Sequence, residues 1–110
     1  MKRNLRYFVQ REGIFTCLPY EEGNFELDWK EVALWRAVLD KALSDFLFGK
    51  KELHREVSVW IEPNRNDRLY DGNFAVVCDL GNLNPMFCID VFDDLMGELK
   101  QNKTTHVSVN

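Results

Sequence analysis

Two histidines, three cysteines and eighteen acidic residues are the groups in this 110-residue chain able to do acid–base, nucleophilic or metal chemistry. Their spacing gives them little to work with. His54 stands between Glu52 and Glu56, and residues two apart on a helix point in different directions, so no dyad forms there. His106 has no partner near it in sequence. Cys17, Cys78 and Cys88 are odd in number, form no Cys-x-x-Cys pair and lie in apolar runs. That suits small core residues in a reducing cytoplasm better than a disulfide frame, a zinc site or a nucleophile. Asp93 and Asp94 are neighbours and cannot both face one substrate from a helix. The chain has neither a glycine-rich phosphate loop nor a His-x-x-x-His pair. The expectation is a protein without catalytic residues, metal or cofactor.

Recognition chemistry is better represented. Between Arg68 and Lys100 there is no Lys or Arg, while Asp71, Asp79, Asp90, Asp93, Asp94 and Glu98 are all acidic. Cations gather elsewhere, at Lys2, Arg3, Arg6 and Arg11 and again at Lys50, Lys51, Arg55, Arg65 and Arg68, with Phe8 and Tyr70 as stacking surfaces. Arg6, Lys50, Lys51, Arg55, Arg65 and Arg68 are thus the candidate nucleic-acid contacts. Glu52, Glu56, Glu62 and Asp67 dilute this patch, and a net charge of −4 excludes a polyanion binder that works by overall charge.

These groups need elements to hold them. With 45% hydrophobic and 13% aromatic residues the chain can bury a core, which excludes disorder as its main state, and its length fits one domain. No apolar run approaches the roughly 20 residues of a membrane span, and Met1–Arg6 leads into no signal-peptide core. Leu5, Tyr7 and Val9 alternate with polar neighbours, and Ile14–Leu18 is a second β-prone run after Gly13, so residues 1–27 predict a β-hairpin closed by Pro19 and a connection. Asp28 and Glu31 resemble a capping box before a helix whose apolar stripe is Val32, Trp35, Leu39, Ala42, Leu43 and Phe46, widened by Leu34, Val38 and Leu47. Lys30, Arg36, Lys41 and Ser44 fall on its other side, and Gly49 closes it. A shorter helix over 50–61 presents Leu53, Val57, Trp60 and Ile61, and Pro63 stops it. Trp35 and Trp60 read as core residues joining these two helices, and Trp29 as a cover for the hairpin junction. Residues 64–73 predict a loop.

A third helix from about Phe74 and a fourth running to about Lys100 complete a bundle over 28–100. In the tail, 101–110, the alternation of Thr105, Val107 and Val109 predicts a third strand. The fold class expected is α+β, with the sheet packed on about four helices.

The last two helices carry the most specific pattern, FAVVCDLGNLNPMFCIDVF over 74–92. A helix-turn-helix unit needs a small residue within its first helix, a turn residue tolerant of positive φ, a buried residue after it and a capped second helix. Cys78, Asn82, Leu83 and Asn84-Pro85 occupy those places, with Cys88, Val91 and Leu95 as the inward face. Together with Trp35, Val38, Leu39, Ala42, Asp45 and Trp60-Ile61, the spacing Phe74-x-x-Val77-Cys78-x-Leu80-x-x-Leu83-x-Pro85 resembles that of small, mostly uncharacterised phage and prophage helical proteins. The resemblance spans about 32–92 and implies a mobile-element origin without implying a reaction.

The outward positions of the fourth helix would be Asn84, Met86, Phe87, Asp90, Asp93 and Asp94. Carboxylates repel phosphates, so the surface argues against the DNA reading that the architecture suggests. Three readings stay open for these residues: a solvated acidic face, a protein-binding face anchored by Met86 and Phe87, or an acidic helix competing with nucleic acid for a basic groove. The function expected is binding to another protein, a host or defence component, with a DNA-binding regulator as the alternative and a homodimer as a third class.

Overall fold

The computed structural model describes residues 5–19, 29–67 and 73–108. Its elements are α1 (Leu5–Tyr7), which runs directly into a π-helical turn (Phe8–Glu12), then α2 (Trp29–Phe48), α3 (Lys51–Asp67), α4 (Asn73–Leu80) and α5 (Pro85–Ser108). The α+β expectation is corrected. Among the described residues there is no strand, and the tail up to Ser108 continues α5 instead of pairing with a hairpin. The predicted cap at Asp28 lies outside the described residues.

The N-terminal alternation was ambiguous in period. Leu5 and Val9 are both buried and stand one helical turn apart, while Tyr7 and Phe8 are exposed. The Gly13 amide donates to the carbonyl of Phe8 at 2.7 Å, five residues back, and closes the π turn with a φ of +83°. Residues 14–16 form no ladder because a side chain takes their amides, and the Leu18 amide donates to the Phe15 carbonyl at 3.2 Å. Asp40 on α2 accepts from the backbone N–H of Ile14 (2.8 Å), Phe15 (2.8 Å) and Thr16 (3.0 Å) and from the Thr16 hydroxyl (2.6 Å). A Cβ on Gly13 would lie 2.6 Å from the same carboxylate, so only glycine lets the chain pass so close.

Arg36, expected on the solvated side of α2, is 3% exposed. It donates to the carbonyls of Leu18 (2.7 Å), Pro19 (3.3 Å) and, at the limit of contact, Phe15 (3.5 Å). Its Nε donates to the Gly81 carbonyl at 2.8 Å. Arg36 and Asp40 are one turn apart, so a single face of α2 satisfies both the amides and the carbonyls of the N-terminal segment. Such buried polar groups persist only when hydrogen bonded.

The apolar core gathers around Phe92 of α5. Its ring meets Phe15 (5.9 Å between centroids), Phe46 (5.4 Å) and Phe74 (6.3 Å). Burying each such ring contributes roughly 1.5–3 kcal/mol. Trp60 packs edge-on against Phe74 at 5.0 Å and so ties α3 to α4. Leu34, Val38, Leu53 and Trp29 are exposed, which narrows the predicted stripes.

Pro63 does not stop α3, which continues to Asp67. Pro63 and Val59 are both exposed, so the carbonyl left without its i+4 donor lies on the solvent side, where its loss costs least. No single helix among the described residues is long and apolar enough to cross a membrane. Only α4 and α5 together reach that apolar content, and they meet at 100°.

Candidate protein-binding site

The angle of 100° between α4 and α5 falls in the range of helix-turn-helix units, and the turn between them is built as its residues require. Asn82 adopts φ of +57°, its amide donates to Asp79 (2.9 Å), and the Leu83 amide donates to Cys78 (2.9 Å). This is a Schellman closure with asparagine at the left-handed position. Cys78 and Cys88 are fully buried and let the two helices approach, while Leu83 packs onto the core. Asn84 caps α5, its side-chain oxygen accepting from the amides of Met86 (2.8 Å) and Phe87 (3.3 Å). Pro85 follows at the first helical position, where its missing N–H costs nothing. The Arg36 bond to Gly81 fixes this turn to α2.

The outward surface divides the six predicted partner-binding residues. Asn84, Phe87, Asp90 and Asp94 are exposed and follow one another at helical spacing along one face. Phe87 is 43% exposed, a large apolar group left at the surface. Met86 is half-buried and packs against the core, so it is a poorer anchor than expected. Asp93 is engaged within the molecule: the Arg65 guanidinium grips it with both terminal nitrogens, at 2.5 and 3.0 Å. This fork joins α3 to α5 and raises the Arg65 pKa, chiefly through the hydrogen bond to Asp93. Arg65 is reachable from α5 only because α3 runs through Pro63.

Beside Asn84 lies an open groove of about 590 Å³ in the elbow of α4 and α5, lined by Val76, Asp79, Leu83 and Pro85 among others. Val76 is 51% exposed. Sequence reasoning passed over Val76, although an apolar residue on the outer side of a short amphipathic helix is the available signal. No salt bridge reaches Asp79, Asp90, Asp94 or Glu98 among the described residues, in contrast to Asp45, which pairs with Lys41, and Asp93.

The basic candidates are more scattered. Arg6 donates to Gln10 (3.2 Å) and lies over the Phe48 ring, 5.5 Å from its centroid. Lys50, Lys51 and Arg55 are exposed near it in sequence, interleaved with exposed Glu52 and Glu56. Arg68 and Tyr70 lie outside the described residues, as do Lys2 and Arg3, and His106 falls in the last turns of α5.

His54 and Cys78 are tied into the fold. His54 stacks on Phe46 (4.6 Å), and its Nδ1–H donates to the Phe46 carbonyl at 2.7 Å, near the end of α2. A carbonyl only accepts, so that nitrogen must carry the proton. Hydrogen bonding to Cys88 and burial push the Cys78 thiol far above its ordinary pKa, away from nucleophilic thiolate. Cys17, expected in the core, is exposed and donates to the Glu12 carbonyl at 3.3 Å. Among the described residues no three His, Cys, Asp or Glu side chains are grouped to hold a metal. No protein family matches the chain, and no curated protein or solved structure is significantly similar to it, so these comparisons lend no support to the expected resemblance to small phage proteins.

Proposed function

We propose that this protein is a non-enzymatic binding module that acts by contact with another protein through the exposed face of α5 and the elbow it shares with α4. The observation carrying this reading is the pairing of a rigid, capped helix-turn-helix scaffold with a face that keeps Phe87 exposed among carboxylates. Interfaces place aromatic anchors inside a polar rim, and Phe87 with Asp90 and Asp94 has that composition. A host or defence protein is the kind of target that the phage-like residue pattern suggests. The α4–α5 angle also favours a second reading, a DNA-binding regulator, but a recognition helix needs cations for phosphates, and none occurs between Arg68 and Lys100.

The test is capture from nuclease-treated cell lysate with tagged wild-type protein and the Phe87→Ala variant side by side. One stoichiometric protein, lost with Phe87→Ala, is the expected result. Capture that vanishes with nuclease, together with a salt-sensitive shift of duplex DNA, would replace protein binding by the regulator reading.

A further inference from the structure

The fold brings two nucleophilic groups together at the α4–α5 elbow. Cys78 stands near the end of α4 and Cys88 in the first turn of α5, so they flank the turn from opposite sides. That turn fixes both backbones. The Leu83 amide donates to the Cys78 carbonyl (2.9 Å), the Cys88 amide donates to the Asn84 carbonyl (3.1 Å), and the helices meet at 100°. Both side chains are 0% exposed within one apolar core, and their thiols are hydrogen-bonded to each other. Cys17, exposed on the N-terminal segment, donates instead to the Glu12 carbonyl. A disulfide needs sulfurs about 2.05 Å apart on neighbouring β-carbons, a short further approach from thiols already in contact.

We infer that Cys78 and Cys88 are a dithiol pair that closes to a disulfide across the α4–α5 elbow when a low-molecular-weight disulfide acts as oxidant. One cysteine loses its proton and attacks a sulfur of the small disulfide, whose S–S bond breaks to release a small thiolate. The other cysteine then loses its proton and attacks the protein sulfur of the mixed disulfide. That S–S bond breaks in turn and releases the second small thiolate. The two protons end on the two small thiols, two electrons have reduced the small disulfide, and the protein gains one S–S bond. Burial keeps both thiols protonated and shielded, so the exchange starts from an opened elbow and is slow. The closed fold then sets the equilibrium. The turn already orders residues 79–87, so closing this loop costs less entropy than it would in a disordered chain. The disulfide ties the base of α5 to α4 whatever the elbow binds.

The test uses the full chain with Cys17→Ser, which removes the exposed thiol and with it cross-linking between chains. The protein is equilibrated in buffers of oxidised and reduced glutathione, with and without denaturing urea, and quenched with acid. Cleavage before Asp79 separates Cys78 from Cys88, so the two peptides travel together in a mass spectrum only through an S–S bond. Joined peptides from a monomeric chain are expected, with a closure constant about tenfold larger in native buffer than in urea. The oxidised chain should also melt at a higher temperature than the reduced one. Peptides that stay reduced, glutathione adducts that never resolve, or a closure constant no larger in native buffer than in urea would each overturn the inference. A lower melting temperature for the oxidised chain would overturn it as well, by showing that the elbow must distort to make the bond.

Discussion

The N-terminal segment and the α4–α5 unit are both fastened to α2, yet they use their polar groups in opposite directions. In the first, Asp40 turns inward and accepts from three backbone amides and one hydroxyl. In the second, Asp79, Asp90 and Asp94 point outward with no cation to meet them among the described residues. A carboxylate with its hydrogen-bonding capacity filled by the chain is part of the scaffold. One with nothing to hold it is surface available to something else. Arg36 joins the two regions, since one guanidinium reaches both Leu18 and the Gly81 carbonyl in the helix-turn-helix elbow.

The contrast is sharpest for Asp40→Ala. It strands the amides of residues 14–16 in a site where Asp40 is only 8% exposed. A loss of about 3 kcal/mol is expected, the upper end of the scale for leaving buried hydrogen-bond donors unsatisfied. Chemical denaturation of the variant measures it, and a midpoint matching the wild type would mean that the segment is held some other way. Thiol labelling separates the same regions by reactivity. Cys17 should react at once in the native protein, while Cys78 and Cys88 should react more than about a hundredfold slower, because their labelling waits on opening of the core. Equal rates for all three would contradict the buried, protonated state assigned to Cys78.

Smaller effects belong to the turn and the surface. Asn84→Ala removes the α5 cap and should cost about 1 kcal/mol, read from the thermal midpoint. Asp90→Lys and Asp94→Lys should leave stability within about 0.5 kcal/mol of the wild type. A large loss from either would show that these carboxylates support the fold and would erase the distinction from Asp40.

The helix-turn-helix elbow was legible in the sequence because its determinants are local. Cys78, Asn82, Leu83 and Asn84-Pro85 act on backbone groups within a few positions of themselves, and each takes the role its type and place imply. The N-terminal segment was not, because the acceptor for its amides lies 24–26 residues further on, in α2. Read without that partner, a short alternating run fits a strand as well as one turn of helix. A signal was present, since Arg36 and Asp40 fall among Val32, Leu39 and Leu43 on the apolar face of α2, where charged groups need internal partners. The candidate site was legible in part. Phe87, Asp90 and Asp94 are exposed as expected, but the capture of Asp93 by Arg65 depends on α3 continuing through a proline that local propensity treats as a stop.

The outward use of the α4–α5 carboxylates, against the inward use of Asp40, is the centre of this account. Its most direct test is amide hydrogen exchange of the free protein beside the complex with the partner that nuclease-treated capture isolates. Added protection across Val76–Leu95, with residues 5–19 unchanged, is the predicted result. Protection gained over residues 5–19 and none across Val76–Leu95 would contradict it.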